Sequence, residues 1–249
     1  MINNIAFSVF GLNVYWYGIS YFLGFLFSYF FILEFGKDFG FKKDFLEDSV
    51  LMFIIYSILF ARLFHIVFYD PIYYLNHIFE IIRFDHGGMS IHGGILGGLL
   101  GLYFQSKKEK VSFLKLLDLF VLPVGLGLAF GRIANFINQE LVGKVTNSFF
   151  GIIFLKYDKN LRWPVTLFES LKNILVFESL FYLFYIKKLY KKSGLLTGLF
   201  LILFNFGRFF IDFLREPEVI VFWNISMGQF LCLIYGFFGI WLLYKIFKN

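Results

Sequence analysis

The chain is poor in cysteine: Cys232 stands alone among 249 residues. No intrachain disulfide can form, and no thiolate cluster can hold a metal. Cys232 lies within the last apolar run and reads as a small buried apolar residue rather than a nucleophile. The four histidines, His65, His77, His86 and His92, lack companion ligands at useful spacing, so no metal centre is expected. A phosphate-binding glycine loop, a dinucleotide fingerprint, an internal repeat and a low-complexity linker are absent too, and no second domain is marked off. The N-terminus has no basic region followed by a cleavage site, so no removable signal peptide is expected and the first span acts as its own insertion signal. Charge is also scarce, with Asp, Glu, Lys and Arg making up only 16% of the chain.

What remains is apolar. Hydrophobic residues account for 59% of the sequence and the mean hydropathy is +0.74, far from the mix of a soluble domain. The 40 phenylalanines reflect compositional bias, because lipid-facing positions accept Phe as readily as Leu. Seven segments of roughly 20 residues, the length that spans a bilayer, fall near 14–35, 49–68, 88–106, 114–137, 165–186, 194–214 and 225–244. The expected fold is therefore all-α: one polytopic membrane domain over residues 1–249 with about seven transmembrane helices. The fifth segment is the least regular, because Glu169, Lys172 and Glu178 interrupt it; Glu169 and Lys172, three apart, could pair on one helical face.

Basic residues set the orientation. Lys37, Lys42, Lys43, Lys107, Lys108, Lys110, Lys115, Lys187, Lys188, Lys191, Lys192, Lys245 and Lys248 fall on one side, against Arg83, Lys144, Lys156, Lys159, Arg162 and Arg215 on the other. The positive-inside rule puts the N-terminus outside and the C-terminus in the cytoplasm. The net charge of +6 lies in these short clusters between spans, which argues against nucleic acid as a partner. The longest connection, near 138–164, then faces outward as a small cap.

Three polar islands break the apolar pattern. Ionisable groups inside a membrane cost roughly 2.5–3.5 kcal/mol each at mid-helix, so they need a partner or a substrate. The first island is Gly87-Gly88-Met89-Ser90-Ile91-His92-Gly93-Gly94. Its glycines continue at Gly97, Gly98 and Gly101 as a stripe that lets another helix approach closely. His92 is either a hydrogen-bonded core residue or a base, which desolvation and nearby cations would keep neutral and able to take a proton. A Ser90–His92 dyad is disfavoured, because residues two apart on a helix point to different sides.

The second island runs from Gly131 to Gly143. Arg132, Asn135 and Gln139 or Glu140 follow helical spacing along one side. They read either as an internal Arg132–Glu140 ion pair or as an anion site in which a guanidinium grips phosphate. In the third, Arg208 and Arg215 share a face with Asp212 between them, forming a structural ladder or a site for a phosphate or carboxylate ligand. Arg62 is a further candidate, and Asp118 a possible partner for any of these arginines. Intramembrane Arg and His also suit a transporter or channel for a small anion. That reading expects two-fold repeats or broken helices in matching halves, and the sequence has neither. An intramembrane protease would need a nucleophile and base on facing elements, which Ser90 and His92 do not supply.

Taken in order, these blocks resemble the bacterial prolipoprotein diacylglyceryl transferases. The likeness rests on Gly87–Gly94 and on Gly131-Arg132 through Gly143, with support from Trp16-Tyr17-Gly18, Arg208 with Arg215, and Ser226-Met227-Gly228-Gln229. It covers most of the chain. The chain departs from the family pattern at Pro164-Val165-Thr166-Leu167-Phe168-Glu169, at Asp212 in place of glutamate, and at His65 in place of tyrosine.

The resemblance implies transfer of the diacylglyceryl group of phosphatidylglycerol to the lipobox cysteine in the signal peptide of a prolipoprotein. A thioether forms and glycerol phosphate leaves. It further implies an enzyme of the bacterial inner membrane with its site toward the outer leaflet, opening sideways to lipid. No cofactor is expected, because the phospholipid is already an activated donor. The implied catalytic residues are His92 as base for the thiol and Arg132 and Arg208 at the departing phosphate. Tyr17, Asn135, Glu140, Gly143 and Arg215 are the implied substrate-binding residues alongside Arg132, with Arg215 steering head groups.

Overall fold

The protein is described by a computed structural model covering residues 5–9, 12–83, 88–216, 219–223 and 225–248. His86 and Gly87 lie outside the described residues. Each of the seven apolar segments contains a helix. The α-helices are α1 (Trp16–Phe35), α2 (Lys43–Phe68), the short α3 (Pro71–Asn76), α4 (Ile91–Lys108), α5 (Phe113–Ile137), α6 (Val165–Tyr185), α7 (Leu195–Ile211) and α8 (Met227–Lys248). Among the described residues, five are long and apolar enough to cross a membrane: α1, α2, α5, α7 with its continuation to Leu214, and α8. Glycines dilute the apolar character of α4, and Glu169, Lys172 and Glu178 that of α6. Phe22, Phe30, Phe206 and Phe237 are exposed on the spanning helices, as lipid-facing side chains would be.

Among the described residues, three two-stranded antiparallel pairs interrupt the mostly helical chain: β1 (Ile5–Val9) with β2 (Leu12–Tyr15), β3 (Ile152–Ile153) with β4 (Leu161–Arg162), and β5 (Ile220–Phe222) with β6 (Ile225–Ser226). Such short strands carry too little periodicity to be read from sequence beside long apolar runs. The all-α expectation therefore describes the bulk of the chain but not these connections.

Residues gather into two compact units, Leu33–Leu117 and Met1–Ile32 with Asp118–Asn249. In the first, α2 and α4 pack through the glycine stripe. A Cβ on Gly101, Gly97 or Gly93 would run into the carbonyl oxygens of Met52, Tyr56 and Phe60 respectively, each one turn further along α2. Side chains there would force the two backbones apart, so packing accounts for these three glycines. Ser90 caps α4: its hydroxyl accepts from the Gly93 N–H (3.5 Å), and its own N–H donates to the Ala61 carbonyl (3.0 Å). Lys107 and Lys108 close the helix where its dipole favours cations.

Arg62 is not available to an outside anion. It is buried and donates to the carbonyls of Ile81 (3.0 Å), Arg83 (3.0 Å), Gly88 (3.1 Å) and Glu80, with its guanidinium over the Tyr74 ring. Gly88 has a φ of +76°, and a Cβ there would lie 2.7 Å from Arg62 Nη1. Only glycine meets both demands.

In the second unit, α1 crosses α5 where a Cβ on Gly24 would lie 3.3 Å from the Gly127 Cα. The Ser170 hydroxyl of α6 donates to the Ala129 carbonyl of α5 (3.1 Å). Phe27 and Phe31 of α1 meet Phe177 of α6 edge-on, at centroid distances of 5.7 and 6.0 Å. Helices α7 and α8 approach at Gly198 and Gly239.

Asp118, expected as a partner for arginine, serves another purpose. Fully buried on α5, it accepts from the Gly194 N–H (2.6 Å), the Thr197 N–H (2.7 Å) and the Thr197 hydroxyl (2.6 Å) at the start of α7. Gly194, the N-cap residue, has no side chain to satisfy these donors. A carboxylate from a neighbouring helix does so, and the positive end of the helix dipole stabilises its charge. Asp118→Ala strands three buried donors and is expected to cost on the order of 3 kcal/mol. That loss should appear as a lower thermal midpoint of the purified protein; an unchanged midpoint would show that something else caps α7.

Candidate active site

Helix α5 carries Arg132 and Asn135 on one face, and the chain turns back on itself just after the helix ends. Gln139 and Leu141 both adopt left-handed backbone conformations, with φ of 56° and 54°. Each costs a non-glycine residue roughly 1 kcal/mol or more. The Glu140 N–H between them donates to the Asn135 carbonyl (2.9 Å). This reversal brings the Glu140 carboxylate back over its own helix, where it accepts from Asn135 Nδ2 (2.9 Å) and Asn138 Nδ2 (3.2 Å). Asn135 in turn donates to the Tyr17 hydroxyl at the start of α1 (3.4 Å) and accepts from Arg132 Nη1 (3.4 Å). Tyr17, Arg132, Asn135 and Glu140, separated by up to 123 positions in the sequence, thus form one polar cluster.

The carboxylate that pairs with Arg132 is Glu169, not Glu140. Arg132 Nε forms an ion pair with Glu169 Oε2, and Glu169 is only 2% exposed. The expected Glu169–Lys172 pair is replaced by this contact between helices. Lys172 instead places its ammonium 3.7 Å from the centroid of the Phe204 ring on α7. Sequence reasoning left Glu169 out of the candidate site, although its presence in an apolar span and at the end of the Pro164–Glu169 block marked it.

Arg208 is half-buried on α7. Its charge and that of Arg215 act on Arg132, so three guanidiniums share one electrostatic neighbourhood. Of the two readings of this island, the Arg208–Asp212–Arg215 ladder is not found among the described residues. Among the described residues Asp212 makes no ion pair with Arg208; its carboxylate accepts from the Ser226 hydroxyl. Ser226-Met227-Gly228-Gln229 is a capping box for α8. Gln229 N–H donates to Ser226 Oγ (3.0 Å), and Ser226 N–H donates back to Gln229 Oε1 (3.0 Å). A cavity of ≈ 340 Å³ opens beside Arg215, lined also by Lys144, Asp212 and Gln229.

Gly143 contributes backbone rather than a side chain. Its N–H donates to the Trp163 carbonyl (3.1 Å), and its carbonyl accepts from Arg162 Nη1 (3.0 Å). A Cβ would lie 2.6 Å from Trp163 Cβ and 2.7 Å from Val165 Cγ2. Gly143 also bridges to Arg215, so the segment around it joins the 161–163 and 214–216 segments.

His92 belongs to the other compact unit. It lies exposed on α4, one residue before the Gly93 position that packs on α2.

Arg162 holds the 138–164 connection together. It donates to both Asp158 oxygens (Nε at 3.3 and 3.2 Å, Nη2 at 2.7 Å) and to Glu216 Oε2 (3.1 Å). This guanidinium, helped by the Asn160 N–H, holds the Asp158 carboxyl down to about 2. Because the folded-state value is depressed, the clasp is complete above the unfolded value of about 4 and is lost as pH falls through about 2. At neutral pH, Asp158→Asn should mimic the acid state and speed limited proteolysis within 143–162. Cleavage at the wild-type rate would show that the clasp does not hold the connection.

Comparison with known proteins places the chain among lipid-modifying enzymes. Residues 4–245 match the sequence model of a family described as prolipoprotein diacylglyceryl transferase. A phosphatidylglycerol–prolipoprotein diacylglyceryl transferase of Rickettsia bellii is 41% identical over 250 residues, covering 98% of this chain and 95% of its own. A protein of the same name from Ehrlichia canis is 38% identical over 249 residues, covering 96% and 95%. One from Rickettsia conorii is 36% identical over 236 residues, covering 92% and 91%.

Proposed function

The chain belongs to the prolipoprotein diacylglyceryl transferase family, and from that premise we propose that it transfers the diacylglyceryl group of phosphatidylglycerol to the lipobox cysteine of prolipoprotein signal peptides. The observation that carries this reading at the level of the site is the cationic neighbourhood of Arg132, Arg208 and Arg215, in which Glu169 pairs with Arg132. Such a cluster suits an anionic head group. The family match gives no support to the anion-transport alternative.

The chemistry follows from the residue types. A thiolate is the attacking species, and a free thiol with a pKa near 8.5 needs help at neutrality. His92 takes the thiol proton. Sulfur then attacks the glyceryl carbon that bears the phosphate ester. A C–S bond forms, the C–O bond breaks, and its electron pair stays on the phosphate oxygen of glycerol phosphate. The singly charged diester becomes a doubly charged monoester, so guanidiniums at that oxygen bind the transition state better than the ground state. Arg132 and Arg208 take this role. Glu169 pairs with Arg132 at Nε, and the Nη nitrogens, one of which also donates to Asn135, bind phosphate.

Tyr17, Asn135 and Glu140 orient the glycerol head by hydrogen bonds, and Gly143 fixes the backbone beside them. Arg215, with Lys144 on the cavity wall, steers head groups inward. In the membrane we read seven spans, adding α4 and α6 to the five most apolar helices, as one integral domain. The N-terminus and the 138–164 connection face outward, the C-terminus is cytoplasmic, and the site lies toward the outer leaflet of the inner membrane. The substrates are phosphatidylglycerol and the lipobox-bearing signal peptide; no cofactor enters the scheme.

The test is to incubate purified protein with phosphatidylglycerol and a lipobox peptide, and to look by mass spectrometry for a diacylglyceryl adduct on cysteine. The adduct should require the cysteine, since a Cys→Ser peptide offers no thiol. It should fall at least about 100-fold in rate for Arg132→Ala and for His92→Gln. No adduct from folded wild-type protein would overturn the transferase reading. Wild-type turnover by Arg132→Ala would remove the electrostatic role, and by His92→Gln the base.

A further inference from the structure

Lys172 is a lysine in a helix that we read as a span, one turn along α6 from Glu169, and it is half-buried. An ammonium at such a place needs a counter-charge. Glu169 does not supply one directly: one carboxylate oxygen is held by Arg132, and the other is buried with no hydrogen bond among the described residues. The Phe204 ring face compensates Lys172 in part, with ~0.5–2 kcal/mol typical of such contacts.

Helix α7 is shaped to receive this side chain. The Lys172 stem lies across Gly207, where a Cβ would come within 2.6 Å of Lys172 Cγ and 2.7 Å of Cδ. Phe204, which receives the ammonium, and Arg208 are four apart and so share a face of α7. The charges of Lys172 and Arg208 act on each other, both act on Arg132, and Lys172 also interacts with Glu169. Yet among the described residues neither Lys172 nor Arg208 makes an ion pair with a carboxylate. Glu140 and Asp212 are engaged by amide and hydroxyl donors. Two neighbouring cations without direct counter-ions repel unless an anion comes between them.

We propose that Lys172 is a third phosphate-directed cation, beside Arg132 and Arg208, whose charge answers the additional negative charge that phosphate gains as the C–O bond breaks. The inference rests on the transferase reading. The charge of Arg132 is offset by Glu169, so Arg208 alone matches the diester monoanion, and the departing monoester, a dianion, calls on Arg208 and Lys172 together. Lys172 gives up no proton in this step, because the thiol proton resides on His92. Its contribution therefore falls on turnover more than on donor binding.

The test uses the full chain in nanodiscs as wild type, Lys172→Met and Lys172→Arg. With phosphatidylglycerol and a lipobox peptide, Lys172→Met should lower kcat about 10–100-fold while KM for the lipid stays within about two-fold, and Lys172→Arg should restore most of the rate. Native mass spectrometry supplies a readout independent of turnover. Retention of phosphatidic acid, a phosphomonoester, relative to phosphatidylcholine should fall about ten-fold in Lys172→Met and persist in Lys172→Arg. Wild-type kcat in Lys172→Met would overturn the proposal. So would equal losses in both variants with unchanged phosphatidic acid retention, which would mark a packing role. If wild-type protein makes no adduct, the transferase reading falls, and lipid retention alone decides whether Lys172 is directed at phosphate.

Discussion

A guanidinium in an apolar bundle has to be held, and the contact between Arg132 and Glu169 is the constraint on which the rest of the second unit depends. It joins α5 to α6 in a region from which water is largely excluded. Breaking such a pair by removing one partner leaves a buried charge uncompensated, typically a loss of 3–5 kcal/mol. In the proposed mechanism the same contact also sets chemistry. Glu169 meets Arg132 at Nε, while Nη1 donates to Asn135. The neighbouring contacts, Ser170 to Ala129 and the close approach of Gly125 to Asn173, keep the two helices in the register that this ion pair needs.

Around that pair, polar groups fall into those that serve the fold and those left over. Asp118 caps a helix, Arg62 gathers carbonyls, Ser226 and Gln229 cap each other, and Arg162 clasps a connection. Each is saturated by its neighbours. Arg208 and Lys172 have no comparable partners among the described residues. In an apolar chain, a charge with no structural employment is the best pointer to a ligand.

Much of the architecture was legible in the sequence because a span of roughly 20 apolar residues has few other interpretations. All seven segments contain a helix, most with ends within a few residues of the expected ones, and the glycine stripe announced the close approach of α4 to α2. The pairings were less legible. Arg132 has Glu140 near it in sequence and Glu169 far from it, and sequence spacing favours the former. The left-handed turns at Gln139 and Leu141 aim Glu140 at Asn135 and Asn138 instead. Asp118 looked like a partner for arginine because nothing in the sequence reveals that α7 begins with a glycine beside it. The Ser226–Gln229 block helped identify the family, yet its visible work is to start a helix. Tyr17 and Asn135 are the contrary case, since motif blocks 118 residues apart meet within hydrogen-bonding distance.

Helix α6 has a consequence for how the protein is made. With Glu169, Lys172 and Glu178 it is a poor candidate to enter a bilayer on its own. Chain order delivers α5, and with it Arg132, before α6 leaves the ribosome. The carboxylate can then partition together with a counter-ion that is already in place, and α7 follows with the Phe204 ring and the Gly207 groove for Lys172. On the proposed seven-span reading, the contacts that shape the proposed site are also those that make α6 insertable, so biogenesis and catalysis constrain the same few side chains.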